Sequence, residues 1–260
     1  KDENIGKMEH LDAATLEEFM AYHKTYYGPN NAVLIVAGDI DTEETIELVK
    51  KYFDEVPRGN EVVRNFPKEE PITENIRAKA YDKNIQIPML LSSFRTPGFA
   101  SRDSYVLDMI STYLSSGKSS VLYKKLVDNQ KQALQTQVIN LGQVDYNIFA
   151  ILALPLGDVS LDTLLTEIEE EIEKVQNELI SERDHQKLLN KFESQFVNSN
   201  SSIAGIANSL ARYYLLYGDV TLINKEIDIY RSISREEIRS VAQKYLSPNQ
   251  RVDIEYLPGE

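Results

Sequence analysis

The chain has 260 residues, 42% hydrophobic and 27% charged, with nine prolines and eleven glycines, a balance that excludes a disordered or fibrous chain and exceeds one typical domain of about 100–200 residues. Its 41 acidic and 28 basic residues leave a net charge of −13, a field that repels DNA, RNA and anionic lipid, so no nucleic-acid partner is expected. Cysteine is absent, which excludes disulfides, thiolate metal sites and cysteine nucleophiles among these residues and leaves the compartment open.

No apolar run reaches the roughly 20 residues of a membrane span. Lys1–Leu11 has neither the basic start nor the apolar middle of a signal peptide. A soluble protein is expected, cytoplasmic or periplasmic, and the opening lysine reads as the interior of a longer chain. Thr15 and Glu18 are spaced as a capping box at the head of a helix running to Tyr27, with Leu16, Phe19, Met20 and His23 on one inward face. Gly28-Pro29 stops it, the apolar run Asn31–Ala37 has strand length, and Asp41 caps a helix from Glu43 to Phe53 with Ile46, Val49 and Phe53 inward. Pro57 to Glu74 carries four prolines or glycines among charges and reads as a linker.

Beyond the linker, Ile76–Asp82 and Ile85–Ser93 predict two strands, the second made an edge or bulged strand by Pro88. Helices are predicted at Arg102–Ser115 and Ser120–Asp128, and a hairpin joins Leu134–Leu141 to Tyr146–Leu154. From Leu161 to Tyr245 the periodicity is helical, broken near Glu178–Ser181, Asn198–Ser202, Gly218–Asp219 and Ser232–Ser234, and a last strand spans Arg251–Leu257. Strand pairs followed by a helical run predict an α+β domain, an antiparallel-rich sheet with helices on one face.

The segment Thr15–Gly38 matches Ser234–Leu257 at a constant offset, 234 − 15 = 219, with no gap. Seven identities fall in 24 positions: Glu17 with Glu236, Glu18 with Glu237, Tyr26 with Tyr245, Pro29 with Pro248, Asn30 with Asn249, Val33 with Val252 and Ile35 with Ile254. A capped helix, a Pro-Asn stop and a strand repeated in register indicate an internal duplication. The counterpart of Ile76 then lies roughly 140 residues before Lys1. The chain divides accordingly into residues 1–56, the tail of a first α+β half, a linker at 57–74, and a complete second half at 75–260.

Tyr26–Ile40 (YYGPNNAVLIVAGDI) resembles the "yYxPxNaxLvvaGd" segment of the M16 zinc metallopeptidases, the clan of insulin-degrading enzyme, pitrilysin and the mitochondrial processing peptidase. Gly117–Val138 is similar to the family's "SxLyxxLvxxxxlA" helix and strand, and the helical run and closing Ser-Pro-Asn strand extend the likeness over nearly the whole chain. The resemblance implies paired α+β halves. In that family an inverted His-x-x-Glu-His helix of the first half supplies two zinc ligands and a general base, a downstream glutamate completes the site, and metal-bound water attacks the peptide bond. None of this can be drawn here: His10, His23 and His185 stand far apart in sequence. Zinc is therefore expected in the parent protein, with its ligands upstream of residue 1, and neither catalytic nor metal-binding residues are assigned in this segment.

His23 reads as a hydrogen-bonded histidine of a buried face, and His10 and His185 as surface residues. The family's second half also grips the substrate backbone through an arginine and a tyrosine, but aligning Leu126 places Val127 and Gln135 or Thr136 at those positions, so the pair is absent and the substrate-binding residues are left unknown. Gly117-Lys118-Ser119 lacks the preceding glycine of a phosphate loop, Thr112 standing there instead. Glu167, Glu169, Glu170, Glu171 and Glu173 read as a solvated helix face, and Arg212, Tyr213, Tyr214 and Tyr217 as core packing rather than a peptide groove. The function implied is the non-catalytic wall of a peptide-degrading chamber, inactive alone, with unfolded peptide or protein as substrate and the missing catalytic half or a homologous subunit as partner. The alternative is an inactive structural or partner subunit of the same family.

Overall fold

The computed structural model describes residues 6–63, 67 and 69–259. Nine α-helices are found among them: α1 (Met8–Ala13), α2 (Leu16–Tyr26), α3 (Thr42–Phe53), α4 (Arg102–Ser115), α5 (Leu161–Asn177), α6 (Glu182–Ser199), α7 (Ile203–Arg212), α8 (Leu222–Arg231) and α9 (Arg235–Tyr245). Their starts follow side-chain chemistry. Thr15, Asp41, Ser101, Ser160, Ser181, Ser202 and Ser234 each accept a hydrogen bond from a first-turn N–H that would otherwise lack a partner.

Five strands, β1 (Ile76–Asp82), β2 (Met89–Pro97), β3 (Ala133–Leu141), β4 (Tyr146–Pro155) and β5 (Arg251–Pro258), form one sheet in the order β1-β5-β2-β4-β3. β5 runs parallel to β1 and antiparallel to β2, and the remaining pairs are antiparallel. The α+β expectation holds. Pro88 does not make β2 an edge: the strand begins at Met89, just past the proline, and is hydrogen-bonded on both sides.

Helices cover one sheet face. There Phe94 and Phe149 meet edge to face at 6.3 Å, and Leu107, Ile110, Leu114, Leu126 and Ile168 are fully buried with them. At the hairpin tip Gly98 is obligatory, since a Cβ there would lie 2.2 Å from the Val144 carbonyl oxygen. The edge strand β3 is blunted by Ser115, whose hydroxyl accepts the Val138 N–H at 2.7 Å.

Residues 8–56 behave differently. α1, α2 and α3 contain no buried residue, and the faces predicted to point inward are open, with Leu16, Phe19, Met20, Ile46 and Phe53 all exposed. The strand expected at Asn31–Ala37 is not formed: after a 3₁₀ turn at Pro29–Asn31 the chain runs without a ladder partner, because residues 8–56 hold no second strand to pair with it. Asn30 ties this turn to the linker, accepting from the Gly59 N–H at 2.8 Å and donating to the Asn60 carbonyl at 3.0 Å. Part of the linker predicted at 57–74 lies outside the described residues.

The helix and turn of the repeated unit match in register, but its strand does not, so the expected helix–turn–strand unit is found in full only once. α2 and α9 are both 11 residues long, Thr15 and Ser234 cap them alike, and 3₁₀ turns follow at Pro29–Asn31 and Pro248–Gln250, each position offset by 219. Only the second copy continues into a paired strand, because β1 and β2 flank it.

Candidate functional site

The three histidines occupy unrelated places. His10 is exposed in α1, and His23 is exposed on α2 with its ring stacked on Tyr27 at 5.0 Å, which corrects the buried reading for His23. His185 is half-buried rather than on the surface, its Nε2 2.8 Å from the Ile233 carbonyl oxygen. No three His, Asp or Glu side chains converge to hold a metal ion among the described residues. Val127 lies on a π-helical segment, Tyr123–Asn129, half-buried; Gln135 is exposed on β3, and the buried Thr136 hydroxyl has no partner.

The glutamate row of α5 is not a solvated face. Lys125 reaches Glu167 at 2.8 Å, Glu170 at 2.7 Å and Glu171 at 3.1 Å, Glu171 is buried, and Glu169 pairs with Arg251; only Glu173 remains simply exposed. The Tyr213–Tyr217 segment is π-helical, and the changed pitch splits it: Tyr213 is buried against Glu226 at 2.7 Å, whereas Tyr214, Leu215 and Leu216 are exposed. A polar knot on the helix side of the sheet was invisible in sequence. Asp108 is half-buried, accepts from Asn140 at 2.8 Å and from the Tyr230 hydroxyl at 3.2 Å, and desolvation pushes its carboxyl up to about 6 despite those bonds.

The feature with the clearest functional content is the other face of the sheet. Register lines up Ile76, Val252, Ser93, Ala150 and Ile139 in one row, and Ala78, Ile254, Leu91, Leu152 and Gln137 in the next. Of these, Val252, Ile254, Leu91 and Leu152 are only partly covered, and Ile76 is 44% exposed. The polar residues of β5 point the opposite way, into the helix layer. Arg251 and Asp253 are buried there, joined at 2.9 Å, with Ser92 donating to Asp253 at 2.6 Å and Asn75 at 2.8 Å. A strand bordering solvent on one side places its apolar residues inward. β5 does the reverse, spending a buried ion cluster on the helix side and leaving its apolar residues half-open.

Comparison with known proteins gives the family and the fold. A family model described as the peptidase M16 inactive domain matches residues 13–192. The zinc protease PqqE of Helicobacter pylori is 26% identical over 252 residues, covering 96% of this chain and 56% of that protein. A solved structure of a protease from Helicobacter pylori superposes with a TM-score of 0.88 at 25% identity, covering 97% of this chain and 61% of that one. The fold is also that of a peptidase M16 inactive domain from Pseudomonas fluorescens, with a TM-score of 0.83 at 14% identity over 98% of this chain and 60% of that one. The chain thus spans little more than half the length of these relatives.

Proposed function

The chain belongs to the peptidase M16 family, in the part described as its inactive domain, and on that premise we propose that it is the non-catalytic half of an M16-type zinc metalloendopeptidase, the wall opposite the catalytic half of a chamber that degrades flexible peptides. The observation that carries this reading is the inverted β5. Its buried Arg251–Asp253 pair and half-open Val252, Ile254 and Tyr256 make sense when the second sheet face borders an enclosed space or a partner half. The uncovered apolar faces of α2 and α3 give independent support: residues 8–56 are the end of a first half whose sheet and core lie in the remainder of the parent protein. In this division residues 57–74 are the linker and 75–260 the complete second half.

Among the described residues no three His, Asp or Glu side chains come together to hold zinc, so no chemical step is assigned to them. Zinc and its ligands are placed in the catalytic half, and the contribution of this chain is confinement and positioning of an unfolded peptide or protein. The test is reconstitution. Mixing this chain with the separately produced remainder of its parent should bury the α2 and α3 faces, measured as hydrogen-exchange protection over 8–56, and should yield chelator-sensitive cleavage of a fluorogenic peptide. Association without cleavage would favour the second reading, an inactive structural or partner subunit of the same family, and no association would overturn both.

A further inference from the structure

The open face of the sheet carries little charge. Among the strand residues that share it, register leaves one base, Arg95 of β2, and one acid, Asp82 of β1, at the opposite end of the sheet. Asp82 is satisfied by the Tyr256 hydroxyl at 2.5 Å and the Asn84 N–H at 2.8 Å. Arg95 is held without being neutralised. Half-buried, it donates from Nη1 to the Glu70 carbonyl at 2.7 Å, and its guanidinium lies over the Tyr146 ring, 5.5 Å from the centroid. It forms no ion pair among the described residues, and only one of its N–H donors is used there. Arg95 lines a cavity of about 380 Å³ where the linker passes the end of β2, with apolar walls from Pro71, Ile72, Pro97 and Tyr146. The other charged residues of its lining are Lys244, already engaged by Asp103 at 2.8 Å, and Glu69, exposed and in no ion pair among the described residues.

We propose that this cavity binds the C-terminal end of a peptide, the Arg95 guanidinium taking the terminal carboxylate and the apolar walls the last side chain. A guanidinium tied at one nitrogen and stacked on one face has its plane fixed, so little rotamer freedom remains to be lost when a ligand binds. Its unused N–H groups form a planar fork that a carboxylate matches with two parallel hydrogen bonds. A phosphate would accept the same pair, but the apolar walls offer its remaining oxygens no donor. The volume falls within the roughly 300–1,000 Å³ of small-ligand sites and admits an aromatic or branched side chain beside the carboxylate. Every cut made by an endopeptidase leaves a new C-terminal carboxylate. Assigning the ligand to such a cleavage product rests on the chamber role proposed above, whereas the site itself stands on Arg95 and the walls around it.

Fluorescence anisotropy of the full chain with a dye-labelled tetraalanyl-phenylalanine peptide tests this, the peptide supplied as the free acid and as the C-terminal amide. The free acid should bind saturably and about tenfold or more tighter than the amide, as expected of a charge-assisted pair. Added salt should narrow the gap. Arg95→Gln, at a position without an ion pair, should keep the melting temperature and lose the preference for the acid. Arg95→Lys, which keeps the charge without the fork, should retain only part of it. Equal binding of acid and amide by the native chain, no saturable binding of either, or an acid preference undiminished in Arg95→Gln would each overturn the site. An amidated peptide with glutamate in place of the phenylalanine, if it bound as tightly as the free acid, would also overturn it by moving the carboxylate to a side chain. These measurements use this chain alone, so their failure leaves the chelator-sensitive cleavage of the reconstituted protein to decide the peptidase reading separately.

Discussion

Glu18 and Glu237 occupy the same third position of two matched helices, yet their carboxylates go to different partners. Glu18 folds back to accept from the N–H of its own cap, Thr15, at 2.8 Å, whereas Glu237 reaches across to the Arg102 guanidinium at 2.6 Å and 2.9 Å. The same residue closes a helix end in one copy and joins α9 to α4 in the other. Glu237→Ala should therefore lower global stability by about 1 kcal/mol, the worth of a bidentate pair at a partly exposed site. Glu18→Ala should leave the main urea transition unchanged, because α2 contains no buried residue.

The pH dependence of stability should carry the signature of Asp108. Its folded pKa, about 6, lies above the ordinary value of 3.8, so between those values the folded state holds a proton that the unfolded state has lost. Stability then falls as pH rises from about 4 to 6 and is flat above, by up to about 3 kcal/mol for a shift of this size. Asp108→Asn, which can keep the bond from Asn140, should abolish that slope and stabilise the protein at pH 7. Urea melts at pH 4.5 and 7 check it; an unchanged slope in the variant would show that other groups carry the dependence.

Lys125 should be the most sensitive charged residue of the helix layer. Removing it leaves the buried Glu171 with Lys174 alone, 2.6 Å away and itself more than half exposed. Lys125→Met is expected to cost about 2–3 kcal/mol, mainly from the stranded carboxylate. Glu171→Gln in the same chain should recover part of that loss, and a double-mutant cycle measures the coupling.

Limited proteolysis should cut first within residues 8–63, which contain no buried side chain among those described, and leave a resistant fragment beginning near Asn75. Asn75 donates to Asp253 at 2.8 Å, so a fragment from 75 to 260 should fold cooperatively, and one starting after β1 should not, because β5 would lose a ladder and its ion cluster a partner. Mass spectrometry of the fragments and their thermal melts decide this.

Much of the architecture was legible in the sequence for local reasons. A serine, threonine or aspartate at a helix start and a Pro-Asn stop are properties of neighbouring residues; α2, α3, α4 and α9 begin where such caps stand, and α2 and α9 end just before the Pro-Asn stops. Periodicity located four of the five strands to within a residue or two, the exception being β2, displaced by Pro88. What periodicity cannot carry is which side of an element faces the core. Leu16, Phe19 and Met20 form an apolar face with nothing against it, Glu171 is buried because Lys125 approaches from a segment 46 positions away, and the alternation of β5 names two faces without saying which one the helices cover. Those choices depend on the free energy of contacts between residues distant in sequence. For β5, the buried Arg251–Asp253 pair settled the orientation, through hydrogen bonds from Ser92 and Asn75 that only the assembled sheet brings within reach.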